Sequence, residues 1–257
     1  MSSTDPGATP PDRVPVTRAS HADRLTFFLL KGVNRAVREF GLIAEGDRIA
    51  VAVSGGKDSC ALVHLLQARQ RSAAEHYQIV AVHIQMHPAG LPDLRPTLEP
   101  WLARLGVEYA FAPLALPPDE PLPLSCDRCA HHRRRTLFFQ ARALGCNKVA
   151  LAHHADDAAE TTLLNLLQLG RLETLAPARR YFDGAFTVIR PLILVEERRL
   201  AQLARALEAP ADVPACPQAL SSRRAWVRRW LADAGRDRRQ MRANLWRVAR
   251  RHSKAFT

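Results

Sequence analysis

The apolar run Arg48-Ile49-Ala50-Val51-Ala52-Val53 leads straight into Ser54-Gly55-Gly56-Lys57-Asp58-Ser59, and Cys60-Ala61-Leu62-Val63-His64-Leu65-Leu66 follows without a break. A buried strand, a glycine turn and an opening helix in that order constrain the fold more than any other stretch. The two glycines let the backbone approach a ligand closely, and the helix start presents unpaired N–H groups and a partial positive charge. Lys57 adds a point charge, Ser54 and Ser59 add hydroxyls, and Asp58 can hold Mg²⁺ against phosphate oxygens. The segment therefore reads as a phosphate cradle. It is not a Walker A loop, which needs a glycine five residues before its Gly-Lys pair, where Val51 stands. A plain Gly-Gly turn between a core strand and a core helix would not need Lys-Asp-Ser at the helix mouth.

Repeated strand–helix units surround this loop. Residues 21–41 have the spacing of an amphipathic helix, with Leu25, Phe28, Leu29, Val33 and Val37 in step and Gly41 closing it. Strands are expected at 48–53, 78–84, 107–111 and 148–152, with helices at 57–70, 94–105 and 127–144 between them. A helix at 155–169 and a short strand at 186–189, after the Asp183-Gly184 turn, continue the pattern. Beyond Pro191 the chain turns helical at 196–208, 220–233 and 237–251. The alternation predicts an α/β fold with a doubly wound parallel sheet, its ligand at the C-terminal strand ends, and a basic helical appendage. We expect a disordered leader over 1–19, a nucleotide domain over 20–195 and a C-terminal region over 196–257.

No apolar run is long enough to span a membrane, and the leader has no signal-peptide core, so a cytoplasmic protein with reduced cysteines is expected. Its charge is uneven: 221–257 holds 12 basic and 2 acidic residues, +10 of the total +12. Such a tail reads as a nucleic-acid contact surface. Trp226, Trp230 and Trp246 lie among its arginines, where packing is the simpler expectation than base stacking.

Cys126-Asp127-Arg128-Cys129, at the start of a helix, can place two thiolates on one metal centre. A redox dithiol is the weakest reading, because the pair does not follow the first strand of a thioredoxin-like unit. A structural zinc site would need Cys216 and either His131 or His132 as further ligands. An iron–sulfur cluster on Cys126, Cys129 and Cys216 would leave one iron open to a substrate or a sulfide. Cys60 and Cys146 have no partner spacing and read as small core residues.

Ser54–Ser59 resembles the PP-loop of the N-type ATP pyrophosphatases, which split ATP between the α and β phosphates and adenylate an oxygen. A narrower resemblance, to the tRNA 2-thiocytidine synthetases (TtcA type), covers about 45–230. It is carried by Cys126–Arg135, by Gly145–Thr161 with His153-His154-Ala155-Asp156-Asp157, by Val188-Ile189-Arg190-Pro191-Leu192, and by Cys216 after Val213-Pro214. This resemblance implies ATP on Ser54, Gly55, Gly56, Lys57, Asp58 and Ser59, and a [4Fe-4S] cluster on Cys126, Cys129 and Cys216. It implies that Asp156 and Asp157 face the reacting centre and handle Mg²⁺ or protons, and that Arg133 stabilises developing charge. His83 joins the cofactor-binding set, at a point where members often carry Asn-x-Asp. Many members also have a second Cys-x-x-Cys late in the chain, where this one has Cys216-Pro217-Gln218-Ala219.

The implied reaction is attack of a cytidine O2 in a tRNA anticodon loop on the ATP α-phosphate, followed by replacement of AMP with sulfur. A cysteine desulfurase or sulfide would supply the sulfur, and the resemblance allows a homodimer. The rival expectations are thiouridine synthesis with zinc or persulfide chemistry, lysidine-type amine transfer, and a non-catalytic RNA-binding protein on a nucleotide fold. Neither end of the chain has the zinc-finger cysteines usual in thiouridine-forming members, which favours cytidine.

Overall fold

The computed structural model describes residues 20–210, 223–234 and 237–252. The expected leader and Cys216 lie outside the described residues. Helix α1 (His21–Phe40) opens with Ser20 and Asp23 exchanging side-chain and backbone hydrogen bonds, and ends on Gly41 at φ 58. Left-handed φ costs glycine little, so the chain can reverse there into the first strand.

The strands are β1 (Arg48–Ala52), β2 (Gln78–Gln85), β3 (Glu108–Pro113), β4 (Lys148–Ala150), β5 (Ala178–Tyr181) and β6 (Phe186–Ile189). Between and after them run α2 (Lys57–Gln70), α3 (Arg95–Leu105), α4 (Cys126–Ala143), α5 (Ala155–Leu169), α6 (Glu197–Ala206), α7 (Arg223–Asp233) and α8 (Arg238–His252). They form one six-stranded sheet in the order β3-β2-β1-β4-β6-β5. Every pairing is parallel except β5 with β6. β5 was not expected from the sequence: Arg179 and Arg180 hide it, and it survives as an edge strand because β6 supplies its hydrogen bonds.

The central strands are apolar on both faces, as a sheet covered on two sides requires. Ile49 and Val51 of β1, with Ile79 and Ala81 of β2, join one core with α1, α2, α3 and α6. The alternate residues Ala50, Val80 and Val82 join a second core under α4. Cys60 and Cys146 are buried in these cores, as expected. α6 belongs to the first core through Leu200 and Leu203, while Val227 and Leu231 of α7 close on Leu163 of α5.

The tryptophans do not behave alike. Trp246 packs half-buried against the first core, but Trp226 and Trp230 are 48% and 46% exposed. The packing expected for those two is therefore corrected: Val227 and Leu231 take the inward face of α7, and residues 226 and 230 fall on its outward side. Among the described residues, no helix is long and apolar enough to cross a membrane.

Candidate active site

β1 lies at the point where the chain's crossovers change direction, with β2 on one side and β4 on the other. That is where doubly wound sheets open a crevice at the strand C-termini. Gly55 has φ 86 there, and Gly56 is the N-cap of α2 without any side chain to satisfy the helix start. Ser59 Oγ donates to the Gly56 carbonyl at 2.8 Å, and the Gly56 N–H reaches Ser54 Oγ at 3.3 Å. The turn is thus braced by its own serines.

A cavity of about 370 Å³ opens over this loop. Ser54, Gly56, Asp58 and Ser59 form one wall, Val82 and His83 at the end of β2 another, and Ala130, Arg133 and Arg134 of α4 a third. His83 Nδ1 lies 2.8 Å from the Val53 carbonyl, which can only accept, so Nδ1 carries the proton and Nε2 is an acceptor. Burial pushes its pKa down and keeps it neutral. His153, on the same cavity, is pushed down to about 4 by burial, with Arg190 beside it adding to the effect. Its Nδ1 accepts from Arg190 Nε at 3.2 Å.

Lys57 does not line this cavity. Its ammonium sits 2.9 Å from Asp58 Oδ2 and 2.9 Å from Glu197 Oε1, facing a second cavity of about 870 Å³ among α5, α6, α7 and α8. Burial opposes the charge on Lys57, but the hydrogen bonds to Glu197 and Asp58 outweigh it and raise the pKa. Glu197 shows the reciprocal balance: burial pushes its pKa up, and Lys57 brings it below the ordinary carboxylate value. Nothing in the sequence marks Glu197. It reads locally as an acid offsetting the start of a helix, and only the docking of α6 on α2 brings it to the loop.

Asp156 and Asp157 are buried, and Asp156 lines the second cavity beside Lys57 and Glu197. Asp157 accepts the His154 N–H at 3.0 Å and completes the cap of α5. Asp156 accepts the Glu197 N–H at 2.7 Å and also pairs with Arg242. His154 Nε2 lies 3.8 Å from Asp58 Oδ2. Asp58, His154 and Glu197 each offer a ligand atom within 4.8 Å of the others. Asp58 Oδ1 is buried without a hydrogen-bond partner among the described residues. An orphaned carboxylate oxygen in that setting fits a divalent cation held with the phosphates of ATP.

Ser125 caps α4 by accepting the Arg128 N–H, and Cys126 and Cys129 occupy the first turn of that helix. Cys126 is exposed and Cys129 half-buried. Their i, i+3 spacing at a positive helix end fits two thiolate ligands of one centre. Ala130 and Arg133, which immediately follow, line the first cavity, so the cysteine turn stands at its edge. His132 Nε2 lies 2.8 Å from Glu120, which also holds Arg128. Arg133 is exposed on the cavity rim. The structure thus brings Ser54, Gly56, Asp58, Ser59, His83 and Arg133 to one cavity, with Lys57 and Asp156 on the second and Asp157 at the cap of α5.

A doubly wound sheet with a Ser-Gly-Gly-Lys-Asp-Ser turn at its switch point defines a nucleotide-binding α/β protein. The family model for the PP-loop domain matches residues 29–234. The tRNA-cytidine(32) 2-sulfurtransferase of Geobacter sulfurreducens is 43% identical over 194 residues, covering 72% of this chain and 73% of that protein. The protein of the same name from Syntrophotalea carbinolica is 38% identical over 234 residues, covering 87% and 88%. The chain belongs to the PP-loop domain family and, within it, to the tRNA-cytidine(32) 2-sulfurtransferases. Its fold is similar to that of the U34-tRNA thiolase NcsA from Methanococcus maripaludis, solved with its [4Fe-4S] cluster (TM-score 0.70, 21% identity, 88% and 80% covered).

Proposed function

We propose that this chain is an ATP-dependent tRNA sulfurtransferase that replaces O2 of an anticodon-loop cytidine with sulfur. The observation that carries this reading is the shared cavity: the phosphate loop and the helix of Cys126 and Cys129 face the same space. Activation and sulfur delivery then act on one base without its leaving the site.

The loop at 54–59 binds the ATP phosphates through its backbone N–H groups, and Lys57 and the start of α2 offset their charge. Asp58, with Glu197 beside it, would hold Mg²⁺ through carboxylate oxygens, while His154, whose Nδ1 accepts the Asp157 N–H, turns its Nε2–H toward Asp58. Cytidine O2 attacks the α-phosphate, pyrophosphate leaves, and the base carries AMP on O2. Sulfur then bonds to C2, and AMP departs with the former O2 oxygen. A [4Fe-4S] cluster on Cys126, Cys129 and Cys216 supplies, when bound, an iron without a protein ligand that can present sulfide. Arg133 stabilises charge at the rim, and His83 offers its neutral Nε2 to the nucleotide. Asp156 and Asp157 fix the position of Glu197 and the orientation of His154 around Asp58.

On this reading the enzyme is cytoplasmic, draws sulfur from sulfide or a cysteine desulfurase, and acts alone or as a homodimer. The leader 1–19 precedes a nucleotide domain at 20–195, and 196–257 supplies the basic helices and Cys216. Anaerobically reconstituted protein is expected to show cluster absorption that Cys216→Ala abolishes, and cells lacking the chain to lose 2-thiocytidine in nucleoside mass spectrometry of their tRNA. An unchanged spectrum would end the three-cysteine model, and unchanged 2-thiocytidine would end the assignment.

A further inference from the structure

The outer face of α4 and the β5–β6 hairpin form one surface that the chemistry above does not use. α4 carries five arginines against one acid, Asp127, and the stretch 178–190 carries three against Asp183. Arg134, Arg135 and Arg179 are exposed on it, whereas Arg180 alternates with Arg179 along β5 and projects from the other face of the sheet, the side of Ala178. Phe138 joins the two elements, with its ring 5.4 Å from Tyr181 and 5.8 Å from Phe182. The surface reaches the mouth of the nucleotide cavity, because Arg134 also lines that cavity. Burial brings the Arg190 pKa down to about 10, with Tyr181 opposing the shift and the neighbouring Arg134 and Arg179 adding to it.

Two aromatic rings stand out from this face. Phe139 is 60% exposed, with the Arg135 guanidinium 5.5 Å from its ring centre, and Phe182 is 65% exposed at the hairpin tip. Phe182 has φ 53, and Asp183 and Gly184 after it are also positive. Asn, Asp or Gly adopts that conformation at little cost, whereas a bulky side chain does not. Most of the Phe182 ring is in solvent, so burial does not offset the strain. A strained, exposed aromatic beside arginines is a feature that folding alone does not require.

We propose that this face docks the single-stranded loop of the RNA substrate, with the arginines on its phosphates and Phe139 and Phe182 stacked on unpaired bases next to the base entering the cavity. The proposal rests on the thiolation reading and names the surface that presents its substrate. Charge complementarity selects RNA: clustered cations with exposed flat rings match a phosphate backbone whose bases are splayed.

Fluorescence anisotropy with the full chain, over a salt series, compares an anticodon stem-loop with duplex RNA of equal length. Arg179→Gln is expected to weaken both RNAs and to lower the slope of log K against log salt by about one. Phe139→Ala/Phe182→Ala is expected to weaken the stem-loop about tenfold and leave the duplex unchanged. ATP affinity should match the wild type in both variants, which verifies their folding. Unchanged stem-loop binding overturns the proposal, and so does intact RNA binding with lost binding of polyglutamate, a mimic of an acidic protein partner. Lost stem-loop binding in a protein whose wild type makes no thiocytidine would keep the surface and remove the thiolation reading. Full thiolation by both variants would do the reverse.

Discussion

Lys57, which we propose offsets the charge of the ATP phosphates, is held away from the cavity by Asp58 and Glu197. Phosphates arriving on residues 54–59 must compete with the Glu197 carboxylate for its ammonium. The two side chains should therefore respond oppositely to substitution. Lys57→Met is expected to weaken ATP binding by about tenfold or more, the usual range for losing one charge-assisted hydrogen bond. Glu197→Gln removes the competing charge and is expected to tighten ATP binding in metal-free buffer. Equilibrium binding of ATP by the two variants, with EDTA and with Mg²⁺, measures both effects; weaker binding by Glu197→Gln in EDTA would contradict the competition.

At the scale of elements, α5 is the fastener of the basic helices. Its buried acids meet arginines from α7 and α8: Asp156 with Arg242, Asp157 with Arg224 and Arg228, and Glu160 with Arg228. Part of the tail's charge is thus neutralised inside the protein rather than displayed for RNA. The Glu160 side chain is fully buried, whereas Arg228 is nearly half exposed. Removing the arginine strands a carboxylate that has no other charge partner of comparable closeness among the described residues, although water reaching the site moderates the loss. Arg228→Met is expected to destabilise the fold by about 2 kcal/mol. Adding Glu160→Gln should restore part of this in chemical denaturation, and a double variant no more stable than the single one would speak against the pair.

The whole molecule is a sheet wrapped by two cores, with its ligand crevice where the crossovers part. A ligand bound only by the folded state stabilises by mass action, about 2.7 kcal/mol at a hundredfold excess over Kd. A non-hydrolysable ATP analogue should therefore raise the melting temperature by several degrees in a thermal-shift measurement. Gly55→Val should abolish that shift, because φ 86 is open to glycine and strained for a β-branched residue. A variant that still responds to the analogue would place the nucleotide elsewhere.

The sequence by itself determined the parts whose causes are local. The apolar β1 run, the Gly55-Gly56 turn and the periodic helices lie within a few residues of the features that define them, so the doubly wound sheet and the glycine turn at its switch point were legible. So was the α4 cysteine turn, marked by its own spacing. Only the tertiary structure decided that Glu197 meets Lys57 across 140 residues, that Asp156 accepts the Glu197 N–H, and that β5 exists at all. Those contacts depend on how separate elements dock. A carboxylate at a helix start, or two arginines at a sheet edge, has the same local pattern whatever it finally faces.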